Sequence, residues 1–139
     1  MSGYPEALAT LNSMSENTLM ETLDIQFTEI GEDFLVATMP VTKSVHQPMG
    51  FLHGGATVAL AESVGSMASH YFTRTMDVEI KGIEITANHL RSVSQGTVNA
   101  TARAIHMGKS THLWDIRVED EQGRLVSVCK LTCIALSKK

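Results

Sequence analysis

The segment HGGATVALAESVGSMASHYF runs from His53 to Phe72 and decides how the rest of the chain is read. Apart from two histidines and several hydroxyls its residues are small or apolar, yet one carboxylate, Glu62, stands in the middle. From Gly54 to Phe72 it is long enough to raise a membrane span, but its Gly, Ser and Thr and the central Glu make insertion costly. A helix buried in a protein core suits it better. A helix that turns a stripe to water carries Lys, Arg or Glu at spacings of three or four, and here Glu62 has no charged companion. A long helix beginning near Gly55, buried on most sides and holding one carboxylate, is therefore the expected centre of the fold.

What surrounds it is mostly strand. In VEIKGIEITANHLRS, Val78 and Ile80 alternate, and after Gly82 the apolar set is Ile83, Ile85 and Ala87. That change of phase at a glycine predicts a β-bulge. Val98, Ala100, Ala102 and Ala104 share one face of the next run, Trp114, Ile116 and Val118 one face of the third, and Leu125, Cys129, Leu131 and Cys133 one face of the last. Gly96, Gly108 and Gly123 separate these runs, which suggests four strands in meander. Ahead of the long helix, Leu8 and Leu11 after Pro5 predict a short amphipathic helix. TLDIQFTEI and DFLVATMPV predict a hairpin turning at Gly31-Glu32, and an irregular stretch follows between Pro40 and Pro48. Small residues on both helix and sheet permit close approach. The expectation is an α+β fold, a curved antiparallel sheet wrapped around one central helix.

The 139 residues, 43% hydrophobic, suit one domain over 1–139 that buries roughly 68% of its unfolded surface. A net charge of −4, with eleven scattered Lys and Arg, excludes a nucleic-acid footprint. The N-terminal MSGYPEALATL lacks the basic and apolar regions of a secretory signal, so a cytoplasmic address is expected. Cys129 and Cys133 on one extended segment would stand about 13 Å apart, beyond disulfide reach. The six histidines form no HxH or HExxH set, and no metal site is expected.

A buried carboxylate needs compensation, and one helical turn from Glu62 only Ser66 can offer a hydrogen bond. HGG leaves backbone N–H groups at a helix N-terminus, where they can receive an oxyanion. Gly54 and Glu62 lie eight residues, or about 12 Å, apart along a helix, too far to act on one carbon. Two copies with antiparallel central helices would bring the Glu62 of one to the Gly54 N–H of the other. This arrangement predicts a homodimer with composite sites. A carboxylate facing an oxyanion donor suits acyl transfer, and a thioester is the expected target because thiolate leaves readily. No GxSxG elbow or Cys-His pairing offers a rival nucleophile. An enoyl-CoA hydratase or dehydratase would need an Asp and His pair, and no Asp falls between Val41 and Met76. A non-catalytic acyl-CoA binding module remains as the other alternative.

HQPMGFLHGGATVALAESVGSMAS, GIEITANHLRS and GRLVS together closely resemble the hot-dog fold thioesterases of the 4-hydroxybenzoyl-CoA type with a catalytic glutamate. Within that family the likeness is to the dihydroxynaphthoyl-CoA and enterobactin-proofreading branches, and it spans about Met20 to Leu136. The resemblance implies the hot-dog fold, dimers assembled into homotetramers, an acyl-CoA or acyl-carrier thioester as substrate, and no metal or bound cofactor, CoA being part of the substrate. It implies Glu62 as nucleophile or general base, the Gly54 N–H as carbonyl-polarising donor, and Gln47 and His53 as groups orienting the thioester. For substrate binding it implies Ser66, Met67 and His89 in an acyl pocket preferring aromatic groups, Gly82 on the bulged strand, and Arg91, Lys109 and Ser110 toward the CoA phosphates. By residue type alone His53 equally suits a helix cap, Met67 core filler, and His89 a satisfied core histidine.

Overall fold

Glycine and alanine set how near the central helix comes to the sheet. The computed structural model describes residues 3–138. Its helices are α1 (Tyr4–Ser13), α2 (Leu19–Thr22) and α3 (Gly54–Phe72), and its strands are β1 (Gln26–Ile30), β2 (Phe34–Pro40), β3 (Val78–His89), β4 (Thr97–Met107), β5 (Thr111–Glu119) and β6 (Leu125–Ser137). On α3, Leu60, Ala61, Val64 and Ala68 are sealed from solvent. At Gly65 an added Cβ would stand 2.6 Å from Leu131 Cδ2 and 3.1 Å from Ile116 Cδ1, so the helix rests directly on β5 and β6. The facing side chains are those of the alternating sets: Val98, Ala100 and Ala102 on β4, Trp114, Ile116 and Val118 on β5, Cys129, Leu131 and Cys133 on β6. Burying each large apolar side chain stabilises the fold by about 1.5–3 kcal/mol. Both cysteines are free and buried, as two small core residues should be.

The six strands form one antiparallel sheet in the order β1-β2-β4-β5-β6-β3. The expected hairpin is β1-β2, and the expected bulge falls between Gly82 and Glu84. Two expectations fail. The meander comprises only β4, β5 and β6, because β3 pairs with β6 at the edge and β4 pairs with β2. The backbone after β3 explains why: Val93 O accepts from Leu52 N, and Gly96 O accepts from Val41 N, so this connection ties down the segments flanking the Pro40–Pro48 stretch instead of closing a hairpin. Ile83 also turns outward and is 57% exposed, because it is the extra residue of the bulge and inward alternation resumes at Ile85.

One polar cluster interrupts the core. Trp114 Nε1 donates to Ser69 Oγ at 2.7 Å, and His112 Nδ1 lies 2.9 Å from the same oxygen. Burial pushes the His112 pKa down, opposed by a hydrogen bond with the Gly108 backbone and aided by nearby His106. The neutral imidazole therefore takes the Ser69 hydroxyl proton at Nδ1, and every polar atom here is satisfied.

Candidate active site

Two turns of α3 separate Gly54 from Glu62. At its start, His53 caps the helix, its Nδ1 accepting from Gly55 N at 2.8 Å, and its carbonyl accepts from Ala56 N and Thr57 N. The Gly54 N–H lies too early for an intrahelical bond. Among the described residues no loop carbonyl takes it either. The helix start thus leaves Gly54 N–H as its one donor without an acceptor. His53 is the cap its residue type allowed.

His89 stands against Gly54. A Cβ added there would lie 2.9 Å from His89 Nε2, so only glycine leaves room for the ring. Ser127 Oγ donates to Asn88 O at 3.0 Å and lies 3.0 Å from His89 Nδ1, so the hydroxyl oxygen accepts the Nδ1 proton. Gln47, Gly54, Thr57, His89 and Arg91 line one cavity of about 310 Å³. The Gln47 side-chain oxygen accepts from Met49 N, which holds its amide in this loop.

Glu62 opens elsewhere. It lies in a groove of about 530 Å³ with Ser63, Ser66, Met67 and His70 of α3, Val78 and Ile80 of β3, and Met14, Leu19 and Met20 from the N-terminal segment. The expected burial is incomplete: Glu62 is half-buried, reached through the groove. Its Oε2 would stand 2.8 Å from a Cβ at Gly82, so the bulged strand's glycine makes the space the carboxylate occupies. Among the described residues Glu62 has no ion-pair partner.

The fold therefore gathers Gln47, Gly54, His89 and Arg91 in one cavity and Glu62, Ser66 and Met67 in another, with Gly82 beneath the carboxylate. His89 does not join Ser66 and Met67 within one chain. Lys109 and Ser110 sit on the exposed β4–β5 turn, far from the cavity of Gly54 and Arg91. Ala135 N donates to Ser110 O and Arg91 N donates to Val126 O, two points nine residues apart on β6, or about 30 Å. Thr57, Ser127 and the N-terminal wall escaped sequence reasoning: a buried Ser shows its role only when its partner, on a strand 38 positions away, is placed. Neither cavity is lined by an aspartate. Among the described residues no three His, Cys, Asp or Glu side chains gather as a metal site would require, and no helix is long and apolar enough to cross a membrane.

Residues 49–127, which carry both Gly54 and Glu62, match the thioesterase superfamily. The chain belongs to that family. It is 46% identical to the proofreading thioesterase EntH of Cronobacter turicensis over 125 residues, 90% of each chain. It is 44% identical to the 1,4-dihydroxy-2-naphthoyl-CoA hydrolase of Escherichia coli over 129 residues, covering 93% of this chain and 94% of that one. The crystal structure of a mutant thioesterase from Pseudomonas aeruginosa superposes with a TM-score of 0.90 at 43% identity, covering 93% of both chains. The protein is a thioester hydrolase with the hot-dog fold, a sheet wrapped on a central helix.

Proposed function

We propose that the enzyme hydrolyses acyl-CoA thioesters carrying aromatic or similarly bulky acyl groups, at sites shared between two copies of the chain. The observation that carries this reading is the pair of unmet groups on one helix: a Gly54 N–H without an acceptor and a Glu62 carboxylate without a cation. About 12 Å of helix keeps them apart in one protomer, and antiparallel apposition of two α3 helices would satisfy both. The substrate carbonyl oxygen would receive the Gly54 N–H, placing the partial positive charge of the helix start where negative charge develops. With Glu62 as general base, it takes a proton from water while the water oxygen bonds to the carbonyl carbon. Collapse of the tetrahedral intermediate breaks the C–S bond, and the thiolate takes back the proton. With Glu62 as nucleophile, its oxygen bonds to the carbonyl carbon and the C–S bond breaks, leaving a mixed anhydride and the CoA thiolate; water then hydrolyses the anhydride, restoring the Glu62 carboxylate, and the proton released goes to the thiolate.

The mostly apolar groove beside Glu62 suits the acyl group. The second cavity, with Gln47, His89 and Arg91, suits the thioester and the start of the CoA arm, Arg91 offering a cation to phosphate. Lys109 and Ser110 could reach the same CoA only from another protomer. Assembly into a tetramer and a cytoplasmic location, where two free buried thiols persist, complete the reading. Glu62→Gln tests it: the variant should lose thiol release from benzoyl-type CoA esters by a hundredfold or more while keeping its assembly state and melting temperature. Undiminished turnover would overturn the assignment.

A further inference from the structure

The sheet does not close around α3. Its edges are β1 and β3, and the helix face carrying Glu62, Ser63, Ser66 and Met67 lies in the gap between them. The N-terminal segment spans that gap. Asn12 at the end of α1 clamps the edge strand from both sides, its Nδ2 donating to Phe27 O at 3.0 Å and its Oδ1 accepting from Phe27 N at 2.8 Å, while Leu11 is buried beneath. The chain then turns tightly. Thr18 Oγ1 donates to Ser15 O at 2.6 Å and accepts from Met20 N at 3.2 Å as the cap of α2. Asn17 takes a left-handed φ of 61°, and its N–H donates to Glu21 Oε1 at 3.0 Å. A turn with this many internal bonds is a fixed wall rather than a floppy loop. It nevertheless holds Met14 at 42% and Leu19 at 59% exposure, facing the groove of Glu62. Large apolar side chains held in the open beside a reactive carboxylate, with the adaptable thioethers of Met14, Met20 and Met67 among them, match an apolar ligand.

We propose that Met14, Leu19 and Met20 form the far wall of the acyl pocket and set which acyl groups the enzyme takes. The inference rests on the proposed thioesterase site and goes beyond it in assigning selectivity to a segment that precedes residues 49–127. The acyl groups selected are apolar and long enough to reach from Glu62 to this wall, two fused rings or a medium alkyl chain rather than acetyl.

The test compares kcat/KM for a naphthoyl-type CoA ester with that for the smallest acyl-CoA the enzyme turns over, in the wild type, Leu19→Trp and the double variant Met14→Ala, Leu19→Ala. Because Leu19 and Met14 are partly exposed, these changes leave the core intact. Leu19→Trp should lower the ratio about tenfold by filling the groove, the naphthoyl-type ester losing far more than the small one. The double variant should accept longer acyl groups than the wild type. An unchanged ratio, or an equal fall for both esters, would overturn the proposal. Dissociation constants for the same esters in a Glu62→Gln background read the same ratio without turnover. Dissociation constants that the wall substitutions shift in this background, together with a wild type that hydrolyses neither ester, would sustain the pocket while sinking the catalytic reading.

Discussion

Gly54 N–H can be deleted without deleting the helix. Proline is accepted at the first helical position and has no N–H, and His53, with φ −67° and ψ 131°, already has the extended conformation a residue before proline prefers. Gly54→Pro and Gly54→Ala both bring a Cβ against His89, so that steric effect cancels when the two are compared. If the N–H polarises the carbonyl, the proline variant should be slower in kcat than the alanine variant by about 10²–10³-fold. Equal rates would remove the donor role. The identity of this residue was visible in the sequence as HGG before a helix, but its distinction from Gly55 was not. That distinction depends on the His53 ring taking the Gly55 N–H, a rotamer no spacing specifies. Glu62 was legible because it is a lone charge on an apolar helix. The space it needs could be read only halfway: Gly82 announced the bulge, and only the packed strand shows that the missing Cβ makes room for the carboxylate.

At the scale of elements, periodicity located α3 and the inward sets of β4, β5 and β6, because each packs one face on one core. It could not order the strands. Pairing of β3 with β6, some fifty residues later, is decided by where the 90–96 connection spends its backbone hydrogen bonds, which alternation does not encode. The four residues of α2 carry too little pattern to be read, yet two of them, Leu19 and Met20, line the Glu62 groove. The junction of α3 with β5 gives a pH prediction. Since burial lowers the His112 pKa, the folded state binds its proton less readily than the unfolded state, and the contribution is intact above the ordinary imidazole value of about 6.5 and lost as pH falls below it. The melting temperature should therefore drop between about pH 7 and pH 5, and His112→Gln should flatten that drop even if it lowers the melting temperature throughout. Parallel curves for variant and wild type would refute this role.

At the scale of the whole molecule, the proposed mechanism requires the Gly54 cavity of one protomer to meet the Glu62 groove of another. One chain presents a polar cavity with Gly54 and an apolar groove with Glu62 and keeps them apart by the rigid length of α3. The β3 edge and the groove mouth beside it are open in the single chain. The account's central claim is that catalysis draws on two protomers, and subunit mixing tests it most directly. Glu62→Gln lacks the carboxylate but keeps an intact Gly54 half-site, and Gly54→Pro has the reverse defect. When the two inactive variants are unfolded together in equal amounts and refolded, half of the dimers should be mixed, each with one intact site of two. Activity should recover to about a quarter of the wild-type value. A mixture no more active than its parents, with exchange of subunits verified, would contradict a shared site.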